Sequence, residues 1–220
     1  MLRRIATALL VASSISLALA DGPEDSAERG RGKREFDYAI LRNGDRIGHY
    51  RFDVSRKGDR RHVRVDMKTR VKIMFITVYR AEHQRTSEWK GGRLMRLDGA
   101  SKYNGEPYDL KFRRENGAAK WTVDGDTRRI EGPCFAFVPW LMESGGEGVL
   151  LTEKGKMRRL ERTRLGEETK TIDGRELELR HFVYRGDVTR HVWFDGEDRV
   201  ALVAYQKNGD DIHMARRYDD

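Results

Sequence analysis

The chain has 220 residues, of which 38% are hydrophobic and 36% charged, with a formal net charge of +8. That length bounds it to one large or two small domains with a real core, and the patterning of its apolar residues excludes a disordered chain. The single cysteine, Cys134, excludes an intramolecular disulfide and, beside Phe135, reads as a small buried hydrophobe.

Met1–Ala20 has the pattern of a secretory signal peptide. Arg3 and Arg4 form a basic start, Ile5–Leu17 is apolar but too short for a comfortable span, and Ala18-Leu19-Ala20 supplies a small-residue cleavage site. Cleavage after Ala20 removes two basic residues and nothing acidic, so +8 becomes +6. No later segment has the length and hydropathy of a membrane helix. The expected product is an exported, soluble, periplasmic protein that begins at Asp21. Residues 21–33 carry no apolar period and read as a flexible lead-in.

From residue 34 onward the chain alternates. Phe36, Tyr38 and Ile40 are followed by Asn43-Gly44-Asp45 and then by Gly48, Tyr50, Phe52 and Val54, which is a hairpin. A two-residue turn alone would set Phe36 and Tyr38 opposite Arg51 and His49. One further residue pairs Tyr38 with Tyr50 and Phe36 with Phe52, keeping one face apolar, so a bulge at the turn is expected, with His49 outward. After Lys57-Gly58-Asp59, residues Val63 to Val71 keep period two, and a phase slip near Lys72 suggests a bulge. Ile73–Tyr79 is β-branched and aromatic throughout and reads as a strand buried on both faces. His83–Trp89 and Arg93–Leu97 follow across Gly91-Gly92. Asn104-Gly105, Asn116-Gly117 and Asp124-Gly125 then turn further short strands.

Gly132–Met142 is the longest apolar run after the leader and does not alternate. Pro133 can start a helix and Pro139 limits one, so a short apolar helix or plug is expected there. Glu143–Gly148 is a glycine-rich loop. Beyond it Met157–Leu165, Thr169–Ile172, Glu176–Tyr184, Val188–Asp195, Val200–Gln206 and Ile212–Tyr218 read as strands, with Val200–Tyr205 apolar on both faces and therefore central. The expected organisation is one β-rich domain, residues 34–220, made of two meanders (34–131 and 149–220) joined by the crossover 132–148. The fold class is all-β: a large curved antiparallel sheet or open barrel with that helix or plug.

Catalytic patterns are missing. The six histidines form no zincin spacing, and there is no Walker loop, serine elbow or cysteine-peptidase signature. With Gly186-Asp187 as a two-residue turn, Phe182 pairs with His191 and His181 with Val192, which sends His181 and His191 to opposite faces. The Glu167-Glu168 pair reads as solvated, and Arg185-Gly186-Asp187 as a turn. No cofactor, metal or nucleic-acid partner is expected.

Three stretches carry a resemblance: Tyr38-x4-Asn43-Gly44-x2-Ile47-Gly48, Arg85-Thr86-Ser87-Glu88-Trp89-Lys90-Gly91-Gly92-Arg93-Leu94, and Asn104-Gly105 ten residues on. Together they resemble an uncharacterised family of exported bacterial proteins of the domain-of-unknown-function kind, similar at a distance to the periplasmic lipoprotein carriers LolA and LolB. The resemblance implies a curved antiparallel sheet with an apolar cavity and a lipid-handling role, and it brings no catalytic residue. The expected function is non-enzymatic: binding of a lipid-like, apolar or amphipathic ligand in the sheet's concavity, lined by Tyr38, Tyr50, Phe135, Phe137, Trp140 and Leu141. The alternative is a structural or assembly partner in the cell envelope with a filled core and no ligand. Export itself is checked by N-terminal sequencing of the envelope form: Asp21 is expected as the first residue, and a retained Met1 or Leu2 would contradict it.

Overall fold

The computed structural model describes residues 33–115, 117–138, 147–186 and 189–218. The expected signal peptide, the lead-in up to residue 32, Trp140 and Leu141 lie outside the described residues. Fifteen strands follow one another: β1 Lys33–Arg42, β2 Asp45–Lys57, β3 Arg60–Ile73, β4 Ile76–Lys90, β5 Arg93–Tyr103, β6 Glu106–Glu115, β7 Ala118–Val123, β8 Asp126–Ile130, β9 Cys134–Ala136, β10 Glu147–Leu151, β11 Met157–Ile172, β12 Arg175–Arg185, β13 Arg190–Phe194, β14 Val200–Lys207 and β15 Asp210–Arg217. No helix occurs among the described residues. They form a single sheet in the order β8-β7-β6-β5-β4-β3-β2-β1-β15-β14-β13-β12-β11-β10-β9. Only the short β9–β10 pair is parallel. The two edge strands, β8 and β9, are joined by residues 131–133, so the sheet coils until its edges meet as a nearly closed barrel.

The tight hairpins follow from their turn residues. Asn43-Gly44, Asn104-Gly105, Asp124-Gly125, Asp173-Gly174 and Asn208-Gly209 all have positive φ at both positions. That is the backbone a two-residue hairpin needs to match strand twist. In the first hairpin Tyr38 pairs with Tyr50 and Phe36 with Phe52, as the alternation requires. The extra residue is not in the turn. It lies within β2, where the register slips at Ile40/Leu41, so the turn keeps its two favoured residues. The slip expected near Lys72 is also present, between Val71 and Lys72.

Inward side chains of both halves meet in one core. Tyr38, Phe52, Leu94, Leu97, Phe112 and Trp121 are almost wholly enclosed. The central strand β14 is covered on both sides, with Val200 and Val203 facing the main core and Ala201 facing a second cluster. That second cluster, with Ile172, Leu179 and Trp193, exists because the β11–β12 hairpin end lies against β15. Asp173 at its turn accepts the Tyr218 backbone N–H at 2.8 Å. The bulge at Arg164/Gly166 falls where β11 must bend to reach there, and it joins the two strands expected on either side into one.

Two expectations are corrected. The crossover expected as a short helix or plug begins as a strand: Cys134–Ala136 pairs with β10, where Gly148 leaves room for the Phe135 ring. Phe137 and Val138 continue inward from it, and 139–146 lie outside the described residues. Ile73–Tyr79 is not a doubly buried strand. Met74-Phe75 turn the β3–β4 hairpin in solvent, because the neighbouring strands end before the tip.

Gly48 marks a close approach between β2 and β3: a Cβ there would lie 2.1 Å from the Lys68 carbonyl oxygen. Gly48→Ala is expected to destabilise the protein by about 1–3 kcal/mol through overpacking. Urea unfolding reads it, and an unchanged midpoint would contradict the contact.

Candidate functional site

Alternation along β4 turns Ala81, His83, Arg85, Ser87 and Trp89 to the barrel interior. The sheet pairs His83 with Met67 on one side and Ser101 on the other. Arg85 pairs with Val65 and with Gly99, whose missing side chain leaves the guanidinium stem its space: a Cβ there would lie 2.8 Å from the Arg85 Cβ. A stripe of polar groups thus lies inside an otherwise apolar wall.

The loop from Thr152 to Lys156, between β10 and β11, reaches into this stripe. Tyr50 donates to Glu153 Oε1 at 2.9 Å, and the Ser101 hydroxyl donates to the Glu153 carbonyl. Trp121 Nε1 donates to the Gly155 carbonyl at 2.8 Å. Gly155 has a φ of +71 and packs so closely on Val123 that a side chain there would collide. On the other flank Arg85 donates to the Phe137 carbonyl. A small turn of one loop and the end of the crossover therefore close the interior together.

The charges explain one another. Burial works against the Glu153 carboxylate, but the charge His83 carries in acid, the Arg85 guanidinium, a backbone N–H and the Tyr50 hydroxyl outweigh it and hold its pKa below the ordinary value. Burial lowers the His83 pKa to about 4, with the Arg85 charge adding to the effect. His83 is therefore neutral at neutral pH, and Arg85 is the cation that balances Glu153. Neither ring nitrogen of His83 has a hydrogen-bond partner among the described residues, and Arg85 Nε has none either. Burial and the nearby Glu153 charge push the Tyr50 and Tyr103 hydroxyls upward. Tyr103 stands at the outer edge of the cluster, with Lys154 Nζ 4.4 Å from its ring and Tyr79 and Tyr108 beside it.

The residues expected to line a ligand site divide. Tyr50 and Phe137 meet at the cluster, with ring centroids 5.5 Å apart. Tyr38 is core: its hydroxyl donates to the Val200 carbonyl at 2.8 Å, and its ring packs edge-on against Phe52. Phe135 is buried beside β10, and Trp140 and Leu141 lie outside the described residues. Cys134 is buried as expected. Burial raises its thiol pKa, against the nearby Arg114, which donates to Sγ at 2.8 Å. His83, Arg85 and Ser101 were within reach of sequence reasoning, since the phase set by Ala81 and Trp89 places His83 and Arg85 inside. Glu153 lies in a turn with no period to mark it.

The second histidine pair corrects an expectation. The β12–β13 register sets His181 opposite Trp193 and Val183 opposite His191, so both imidazoles share one face. The register is displaced by one residue from that of a two-residue turn, and that single step exchanges the faces. His181 Nε2 lies 2.8 Å from His191 Nδ1, and His181 Nδ1 lies 2.8 Å from Glu168 Oε1. The His181 ring stacks on Trp193 at 4.3 Å. Burial lowers the His181 pKa, with Glu168 opposing and His191 and Lys170 assisting. Both ring nitrogens of His181 are engaged, and no group of three or more His, Cys, Asp or Glu side chains is arranged to hold a metal ion among the described residues.

A family model for a domain of unknown function, DUF6134, matches residues 38–217. The chain belongs to that family. The DUF6134 chain also matches a crystal structure of a β-barrel-like protein of the domain of unknown function DUF1849 from Brucella abortus, with a TM-score of 0.60 and 8% identity over 87% of this chain and 100% of that one. At that identity the likeness is one of fold. No curated protein matches. The resemblance to an uncharacterised family is borne out, while none of these likenesses carries the kinship to the lipoprotein carriers.

The lowered His83 pKa has a consequence for stability. An unfolded histidine titrates near 6.5, so between pH 6.5 and 4 the unfolded DUF6134 chain binds more protons than the folded one. Stability from this group is full above pH 6.5 and is lost as pH falls toward 4. Between pH 7 and pH 5 the expected loss is about 2 kcal/mol. Urea unfolding at both pH values measures it, and His83→Met should remove most of the difference. A His83→Met variant with the same pH dependence as the wild type would contradict the buried, neutral imidazole.

Proposed function

We propose that this DUF6134 protein is exported to the periplasm and there binds an amphipathic, lipid-like ligand, with its polar head at the Tyr50–His83–Arg85 cluster and its apolar part along the barrel interior. The observation that carries the reading is His83: an imidazole almost without exposure, both nitrogens unpartnered, beside a buried guanidinium inside an aromatic wall. Buried polar groups are normally satisfied, and an anionic head would satisfy these. Glu153 presents a carboxylate to Tyr50 in that place. It stands in for the head group, and the Thr152–Lys156 loop leaves when ligand enters.

Close packing of Phe52, Leu94 and Phe112 favours a second reading, an envelope assembly partner with a filled core and no ligand. One experiment separates the two. Mass spectrometry of organic extracts from the purified mature protein is combined with titration of a fluorescent fatty acid. Ligand binding predicts a co-purifying amphiphile, at least tenfold weaker probe binding in Arg85→Met, and tighter binding in Glu153→Gln. Melting curves establish that both variants are folded. A wild type that yields no amphiphile and does not bind the probe leaves the assembly reading.

A further inference from the structure

The tip of the β3–β4 hairpin breaks the rule the chain follows at its other turns. The hairpins that share this end of the barrel turn on Asn43-Gly44, Asn104-Gly105, Asp124-Gly125 and Asn208-Gly209, polar pairs suited to their backbone. The β3–β4 hairpin turns on Met74-Phe75, although Met74 also has a positive φ of 52. An Asn-Gly turn would close the same hairpin more easily. Met74 is 89% exposed, Phe75 99% and Ile76 71%, with Val78 also in solvent. Met74, Phe75 and Ile76 are the most exposed bulky apolar side chains among the described residues, ahead of Leu165 at 52%.

We infer that this tip is a membrane anchor that inserts into an anionic lipid surface. Phe75 projects with nothing against it, so a counterpart must surround it on all sides. A fluid bilayer does that without shape matching, whereas a protein would need a fitted socket. The charge beneath the tip agrees. From Lys68 to Glu82 the hairpin carries Lys68, Arg70, Lys72 and Arg80 against Glu82 alone, four positive and one negative, net +3. Arg70 and Lys72 have no ion pair with another described residue and are exposed, so their charge is available to lipid phosphates. Below the apolar tip, the half-buried Tyr79 packs on the buried Tyr103 of the core, ring centroids 6.5 Å apart. Lys207, at the end of β14, stands over Tyr79, and Lys154 stands over Tyr103. The tip and the mouth closed by Thr152–Lys156 are therefore at one end of the barrel, and docking turns that mouth toward the bilayer. This inference stands on the tip alone and holds whether or not the interior takes a ligand.

The test is flotation of the mature protein with vesicles of phosphatidylglycerol and phosphatidylethanolamine, and with vesicles of phosphatidylcholine alone. Binding is expected to the anionic vesicles and to be at least tenfold weaker to phosphatidylcholine. The double variant M74N/F75G keeps every charge and supplies the chain's own preferred turn, so it should fold at least as well by melting temperature. Its vesicle binding should fall at least tenfold. R70E/K72E should lose binding to the anionic vesicles and keep its fold. Absence of wild-type flotation would overturn the inference. So would an M74N/F75G variant that retains binding within threefold, because adsorption would then be electrostatic only and the tip would not insert.

Discussion

A sheet of fifteen strands presents one continuous apolar face, and among the described residues no helix covers it. The sheet has to cover that face with itself. Twist accumulates in one direction across antiparallel strands, and the bulges at Ile40/Leu41, Val71/Lys72 and Arg164/Gly166 add local bends. Coiling brings β8 and β9, the two free edges, to either side of a three-residue link. Coiling thus buries the inner face and leaves as edges only the short strands β8 and β9, which limits further pairing. The long pairing of β1 with β15 holds the first and last strands of the chain together within that wall.

A closed apolar wall makes charge inside it costly unless the charges answer one another. Arg85 and Glu153 come from distant parts of the chain and are brought together only when the loop after β10 folds inward. Tyr50 and Ser101 add hydrogen bonds to the same residue of that loop. The interior is therefore closed by contacts with a short turn, while the strands that frame it are long and continuous.

At the opposite end, Asp195 does structural work with a similar economy of groups. Its carboxylate accepts from the backbone of Glu197 and Arg199 and from the side chains of Arg199 and Arg216. Arg216 also lies over Phe36 and Tyr218. This arrangement fastens β15 to the β13–β14 turn near the chain's last described residues. It is satisfied throughout, unlike the neutral His83, whose ring nitrogens have no hydrogen-bond partner among the described residues.

Local chemistry made much of the fold legible in advance. Period-two alternation named the strands, Asn-Gly and Asp-Gly named the turns, and the demand for one apolar face set Tyr38 against Tyr50 without a structure. The β12–β13 hairpin defeated the same logic, because a register displaced by one residue brought His181 and His191 to one face, and no side-chain pattern there opposed the shorter turn. Ile73–Tyr79 was misread because composition records what a residue prefers and not whether neighbours arrive to cover it; the strands beside the β3–β4 tip stop short. The amino-acid sequence by itself determined the all-β class, most hairpins and the inward phase of most strands, since these depend on residues a few positions apart. Only the tertiary structure decided that the sheet closes, that Glu153 meets Arg85, and that Phe75 stands in solvent, since these depend on where segments distant in the chain come to rest.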